Sequence, residues 1–324
     1  MKAAGPAATR LWWIAQWSGV ILTLLLLVGL VIRPAESLNI LWNLLIPLVP
    51  ASLLVTPSLW RNVCPLATLN VASNGLVAAH RVQNGWLPRA GLIGMLLLAV
   101  LVPARRFLFN TDGTLLAITI ASVAALALAL GAVFDEKAGF CNSICPVLPV
   151  ERLYGQSPLI ELSNPRCDTC TLCTAKGCID LSPPQSISVA LGPRRFSSKW
   201  LLTSYGVFAA AFPGFVLGYF TLVDGPLSSA AAVYLHVALW SAGSYIATAS
   251  VTLLLRLKPA LVMVLLGAAA AGLYYWYAAA SIVAAFALPV MAIPALRVVT
   301  LGLVVLWTVR AFTSRSSAPR AATA

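Results

Sequence analysis

Long apolar runs separated by polar stretches set the pattern of this chain. Eight runs reach the roughly 20 residues a helix needs to cross a bilayer core: 11–32, 38–58, 90–109, 113–134, 200–223, 228–255, 259–280 and 284–309. The first follows Lys2 and Arg10 and opens Leu-Trp-Trp, like a signal peptide. At about 22 residues it exceeds the 7–15 of a secretory apolar region, so it reads as an uncleaved first span. Pro289, Pro294 and Arg297 interrupt the final stretch. The pattern predicts an all-α integral membrane protein of about eight transmembrane helices. Its divisions are a four-helix membrane half (1–134) with a Cys-Pro loop at 59–89, a segment 135–199 between helices 4 and 5, a second four-helix half (200–311) and a disordered tail (312–324).

Composition closes off the soluble alternatives. Sixty per cent of the 324 residues are hydrophobic, 9 % are charged and the mean hydropathy is +0.91. A soluble domain carries about 25 % charged residues, so a soluble enzyme of this length is excluded. The net charge of +12 would suggest nucleic acid in a soluble protein. Here the basic residues lie between apolar runs and report orientation instead. With a cytoplasmic N-terminus, 17 Lys/Arg fall on inner segments and 3 on outer ones, with Arg297 inside a span. That bias fits the positive-inside rule and an even number of crossings. It places both termini and both long loops on the cytoplasmic face of a bacterial-type inner membrane. Trp12, Trp13 and Trp17 start the first span, and Tyr274-Tyr275-Trp276-Tyr277 lies near the opposite interface.

All seven cysteines lie in the two inner loops, at Cys64, Cys141, Cys145, Cys167, Cys170, Cys173 and Cys178. An odd count in a reducing compartment argues against a disulfide framework and toward metal chemistry. Cys167, Cys170, Cys173 and Cys178 form C-x2-C-x2-C-x4-C. Three thiolates at successive threes wrap three corners of a [4Fe–4S] cubane, and loop amides reach its sulfides. Zinc prefers two C-x2-C hooks spaced about 15–20 residues apart. Compared with the ferredoxin run C-x2-C-x2-C-x3-C-P, the last gap is one residue longer and Ile179 replaces proline. Lys176, inside the run, offsets cluster charge. These four cysteines are the expected cofactor-binding and metal-ligating residues; no catalytic residue is expected.

A weak internal repeat is also visible. One helix pair leads to Trp60-Arg-Asn-Val-Cys64-Pro65 and a second to Cys141-Asn-Ser-Ile-Cys145-Pro146, 81 residues later. Cys64, Cys141 and Cys145 are candidates for a second iron–sulfur or metal centre, with His80 or Asp168 as a non-cysteine ligand. The alternative is three free thiols packing two similar loops.

The C-x3-C-P motif after a transmembrane pair, followed by a cytoplasmic ferredoxin run, resembles the membrane-bound polyferredoxins. Those are associated with periplasmic nitrate reductase, nitrous-oxide reductase maturation and cytochrome oxidase assembly. The resemblance covers roughly 38–181. It implies electron transfer between a cytoplasmic partner or the quinone pool and a partner redox complex. Relatives usually carry two runs and two complete C-x3-C-P motifs, whereas this chain has one run and Trp60 in place of one leading cysteine.

Two polar residues fall inside predicted spans. His236 is read as making an interhelical hydrogen bond on a helix with Ser241, Ser244 and Thr248, or as a ligand to one haem with a non-His partner, or as a quinone contact. Two histidines in all, with His80 in a loop, exclude a transmembrane bis-His di-haem cytochrome. Arg297, about ten residues into the last run, costs about 2.5–3.5 kcal/mol if central. No carboxylate lies in any predicted span. Carbonyls opened by Pro289 and Pro294, a quinone, a lipid headgroup or a partner subunit would satisfy it, as would snorkelling. Glu151-Arg152 and Arg194-Arg195 read as solvated or lipid-facing charges. The expected function is a membrane electron-transfer relay or oxidoreductase subunit, not a stand-alone enzyme. The alternative is an assembly factor handling copper(I) or iron–sulfur through the C-x3-C-P thiols. A transporter with structural zinc is the third class, disfavoured by spans without carboxylates.

Overall fold

The computed structural model describes residues 6–74, 76–77, 87–134, 137, 139–161 and 198–316. Helix α1 spans Pro6–Ile32. The chain returns through α2 (Pro34–Ile40), a π-helical turn at Leu41–Leu45 and α3 (Ile46–Val55). Two short helices follow, α4 (Pro57–Val63) and α5 (Pro65–Ala72). Helix α6 (Leu87–Ala104) ends in a second π-turn, Arg105–Phe109. Pro47 and Pro103 sit beside these two turns. Each lacks the N–H that a regular ladder needs, and widening to i→i+5 bonding accommodates the gap. Helix α7 (Gly113–Val133) starts at Asp112, whose carboxylate accepts from the Leu115 N–H at 2.8 Å. That contact is an N-cap, and it leaves Asp112 at the interface rather than in the bilayer. A third π-turn (Phe140–Ile144) leads to α8 (Leu148–Tyr154). After a 3₁₀ turn at Ser198–Leu202 come α9 (Ser204–Phe220), α10 (Ala230–Leu254), α11 (Pro259–Ala285) and α12 (Ala292–Ser316).

Seven of these segments are long and apolar enough to cross a membrane. Helix α9 is shorter, at 17 residues, roughly 26 Å along its axis. The run 200–223 is thus only partly α-helical, because its first residues form the 3₁₀ turn. The last run also shifts. Residues 286–291 form a turn in which Ala287 adopts φ 49°, and α12 begins only at Ala292. Pro289 disfavours helix at the residue before it. Arg297 therefore lies five residues past the start of a helix, not ten residues into one, and close to the interface. At its other end α12 runs to Ser316, into the segment expected as a tail.

Long-range hydrogen bonds sort the helix ends into two sets. At one end Leu159 N–H donates to Leu54 O at 3.1 Å and Ile160 N–H to Val55 O at 2.8 Å. There too Tyr205 reaches Pro149 O, and Arg310 reaches Pro158 O and Glu161. At the other end Asn39 donates to Ala285 O at 3.0 Å, and Gly225 N–H donates to Arg106 O at 2.9 Å. The long segments thus run alternately up and down. Arg61, Lys137, Arg256, Lys258 and Arg310 stand at the first end, with Arg33, Arg105 and Arg106 at the second. Among the described residues the first end therefore carries more of the basic side chains.

The outward faces are apolar. Leu22, Leu25 and Ile32 on α1, Leu235, Leu239 and Ile246 on α10, and Val298 and Leu306 on α12 are all exposed. In water such continuous apolar surface would be an aggregation hazard; lipid is its natural solvent. The described residues are helical, and the protein is a multi-pass membrane protein. The two halves share one core, in which Leu53 and Leu54 of the first meet Trp200, Met263 and Trp307 of the second, together with Val150 and Leu153 of the segment between them.

Close backbone approach fixes α5 against α7. Asn70 donates to Ala127 O and Ser73 to Leu128 O, both at 2.8 Å. A Cβ on Gly131 would strike Asn70 O and the Ser73 hydroxyl. Gly131→Ala is expected to cost about 1–3 kcal/mol, as overpacked sites do. Gly91→Ala, whose new methyl meets nothing within 4 Å, should leave the detergent melting midpoint unchanged.

Candidate functional site

The 81-residue repeat is structural. Adding 81 to the residues of α1, α4 and α5 lands on α6, the third π-turn and α8. Cys64 (φ −57°, ψ 122°) and Cys145 (φ −58°, ψ 123°) share one backbone conformation. Each precedes a proline that cannot donate, so the chain breaks there and restarts as helix. Four residues before the second last position of each loop the same contact recurs: Asn62 donates to Ser58 O, and Ser143 to Gly139 O. A glycine in the first long helix of each pair makes room for the turn. Gly19 packs on Val63 O and Gly94 on Ile144 O, the repeat-equivalent carbonyl.

Stacking α5 on α7 and the third π-turn brings the three described cysteines to one place. Cys141 is buried with Ala67, Ala127 and Phe140, and Cys64 and Cys145 pack against that cluster. Where the second loop carries Cys141, the first carries Trp60, so the repeat delivers three thiols rather than four. All three are free. Burial raises each thiol. Cys141 is pushed up to about 12, with the nearby Arg61 charge acting against the rise. Cys145 is held well above its ordinary value, first by burial and then by Glu151. For Cys64 the backbone N–H groups of Ala67 and Leu66 oppose the effect of burial.

One buried ion pair ties the loops together. Arg61 donates through Nη1 to Glu151 Oε2 at 2.8 Å, and through Nη2 to Asn142 Oδ1 at 2.7 Å. The paired side chains are 2 % and 5 % exposed. Lys137 Nζ donates to Arg61 O at 3.1 Å. Glu151, expected from sequence as a solvated or lipid-facing charge, is instead an internal partner. Arg61 and Asn142 are equivalent positions of the repeat, so this bond joins one loop to its own copy. The repeat offset was the one sequence signal that could have found it.

At pH 8 a thiol titrating near 12 carries a thiolate fraction on the order of a thousandfold below an ordinary one. Alkylation of Cys141 in the folded protein should be slowed accordingly, and detergent denaturation should restore it. The same shift has a pH sign. The folded thiol keeps its proton to higher pH than the unfolded one. Its contribution to stability is therefore whole below about pH 8.5 and is lost as pH rises toward 12.

Cys167, Cys170, Cys173 and Cys178 lie outside the described residues, as do His80, Asp168, Lys176 and Arg194-Arg195. The segment that carries the four cysteines is flanked by Glu161 and Ser198. Glu161 pairs with Arg310, and the turn from Ser198 buries Trp200 and Leu201 in the shared core. Both flanks stand at the end of the bundle that holds the three clustered thiols. Among the described residues no group of three or more His, Cys, Asp or Glu is placed to hold a metal ion.

The structure gives His236 and Arg297 separate partners. His236 Nε2 lies 3.0 Å from Thr221 Oγ1 at the end of α9. Ser241 and Ser244 bond to Val237 O and Ala210 O instead. Arg297 donates to Trp276 O at 3.0 Å, and its guanidinium sits 3.9 Å over the Trp276 ring. Its acceptor thus comes from the neighbouring helix, not from carbonyls freed by Pro289 or Pro294. No protein-family model, curated protein or solved structure matches the chain.

Proposed function

We propose that this protein is a membrane-integral iron–sulfur electron-transfer protein. It relays single electrons between a cytoplasmic redox partner and the quinone pool or a partner redox complex. The observation that carries the reading is the C-x2-C-x2-C-x4-C run at Cys167, Cys170, Cys173 and Cys178. Its four thiolates match what a [4Fe–4S] cubane requires. Supporting it, both flanks of the run are anchored at the basic end of the helical bundle. By the positive-inside rule that end is cytoplasmic, where a cluster meets soluble donors and acceptors. On this reading α9 is the fifth of eight crossings, and both termini are cytoplasmic. The bundle anchors the cluster, while the Cys-Pro loops fix the surface from which the run departs.

Metal and acid-labile sulfide analysis of the purified full chain tests this. About four iron and four sulfide per chain are expected. Zinc without sulfide would end the electron-transfer reading. Copper without iron would favour the assembly-factor alternative.

A further inference from the structure

At the end of the bundle opposite the thiols, two arginines are treated unequally. Arg106 is neutralised: its guanidinium bonds Asp224 at 2.8 Å and Tyr219 O at 3.0 and 3.2 Å. Asp224 is fully engaged, because Asn110 also donates to it. Among the described residues no carboxylate pairs with Arg105. Among the described residues its partners are the Tyr219 hydroxyl, at 2.7 Å, and the face of Trp42, at 4.6 Å. Its Nε–H is buried without a protein acceptor, and so is the Trp42 Nε1–H. Among the described residues the corner is therefore rich in donors, short of acceptors, and carries one positive charge without a carboxylate partner. Both residues sit in π-turns, Trp42 in Leu41–Leu45 and Arg105 in Arg105–Phe109. Such turns re-aim side chains and recur at functional sites.

An uncompensated cation at this depth calls for a ligand. That ligand must be anionic and offer several acceptor oxygens, as a guanidinium fork prefers. The position, one turn from the end of a membrane-spanning segment, matches the level of lipid headgroups. We propose that Arg105, Trp42 and the Tyr219 hydroxyl form a site for the phosphodiester of an anionic phospholipid. Tyr219 accepts from Arg105, which leaves its own O–H free to donate to a phosphate oxygen. The site depends only on the membrane character of the chain and stands apart from the electron-transfer reading.

Native mass spectrometry of the full chain in mild detergent, titrated with phosphatidylglycerol, tests it. The wild type should retain one lipid. Arg105→Gln should weaken retention by about tenfold or more, the scale of a charge-assisted bond. Arg297→Gln removes another interfacial guanidinium, one that is seated on Trp276, and should retain the lipid like the wild type. Trp42→Phe keeps the ring and removes the N–H, so it should weaken retention several-fold even if Arg105→Gln fails to fold. Undiminished retention in both site variants would overturn the proposal, and so would equal loss in Arg297→Gln. Phosphatidylglycerol should raise the melting midpoint where millimolar inorganic phosphate does not. Stabilisation by inorganic phosphate alone would reassign the corner to a free anion.

Discussion

Arg61→Ala is expected to destabilise the folded chain by about 3–5 kcal/mol, the scale of breaking a buried ion pair by removing one member. The pair it breaks is almost wholly inaccessible, at 2 % and 5 % exposure. Glu151 would be left beside Cys64 and Cys145, whose thiols it already disfavours ionising. Asn142 would lose the Arg61 bond that joins the two Cys-Pro loops. Glu151→Ala should cost a similar amount for the converse reason. The double variant Arg61→Met with Glu151→Leu should recover most of the loss, because apolar side chains of similar volume often replace a buried pair without penalty. Denaturation midpoints of the two single variants and the double variant form a cycle. Strictly additive losses would show that the pair does not act as a unit.

The second large effect concerns the ferredoxin run. Cys167→Ala, Cys170→Ala and Cys173→Ala should each abolish the cluster, since each removes a corner ligand from a four-ligand site. The brown colour and broad visible absorption expected of the wild type should vanish, and iron should fall from about four per chain to near zero. Cys178→Ala should do the same if the longer x4 gap is used. Cys64→Ser, Cys141→Ser and Cys145→Ser should leave that iron in place. Those thiols pack in an apolar cluster of their own with Ala67, Ala127 and Phe140. Loss of iron in the Cys-Pro variants with retention in the run variants would reverse the assignment.

Much of the fold was legible because lipid imposes a simple rule: a crossing segment must be long, apolar and helical. The runs 113–134 and 228–255 became Gly113–Val133 and Ala230–Leu254 almost unchanged. The errors fall where hydropathy cannot see backbone geometry. It does not distinguish the 3₁₀ turn at Ser198–Leu202 from the helix after it. Nor does it show that residues 286–291 turn before α12 starts, which moved Arg297 to the interface beside Trp276. Charge placement was legible in the aggregate but not for individuals. Arg61 and Glu151 are 90 residues apart and meet only through tertiary packing, so a count of loop charges places Arg61 on the inner side without a partner in view, and Glu151 reads as solvated or lipid-facing. The convergence of Cys64, Cys141 and Cys145 was foreshadowed by the repeat, because equivalent loops on equivalent helix pairs tend to meet.

The most direct test of the central claim is electron paramagnetic resonance of the full chain after anaerobic reduction with dithionite. The oxidised protein should be silent, and the reduced protein should give a fast-relaxing iron–sulfur signal of about one spin per chain. That signal should be absent from Cys170→Ala. A reduced wild-type protein with no such signal, and with zinc or copper in place of iron, would contradict that claim.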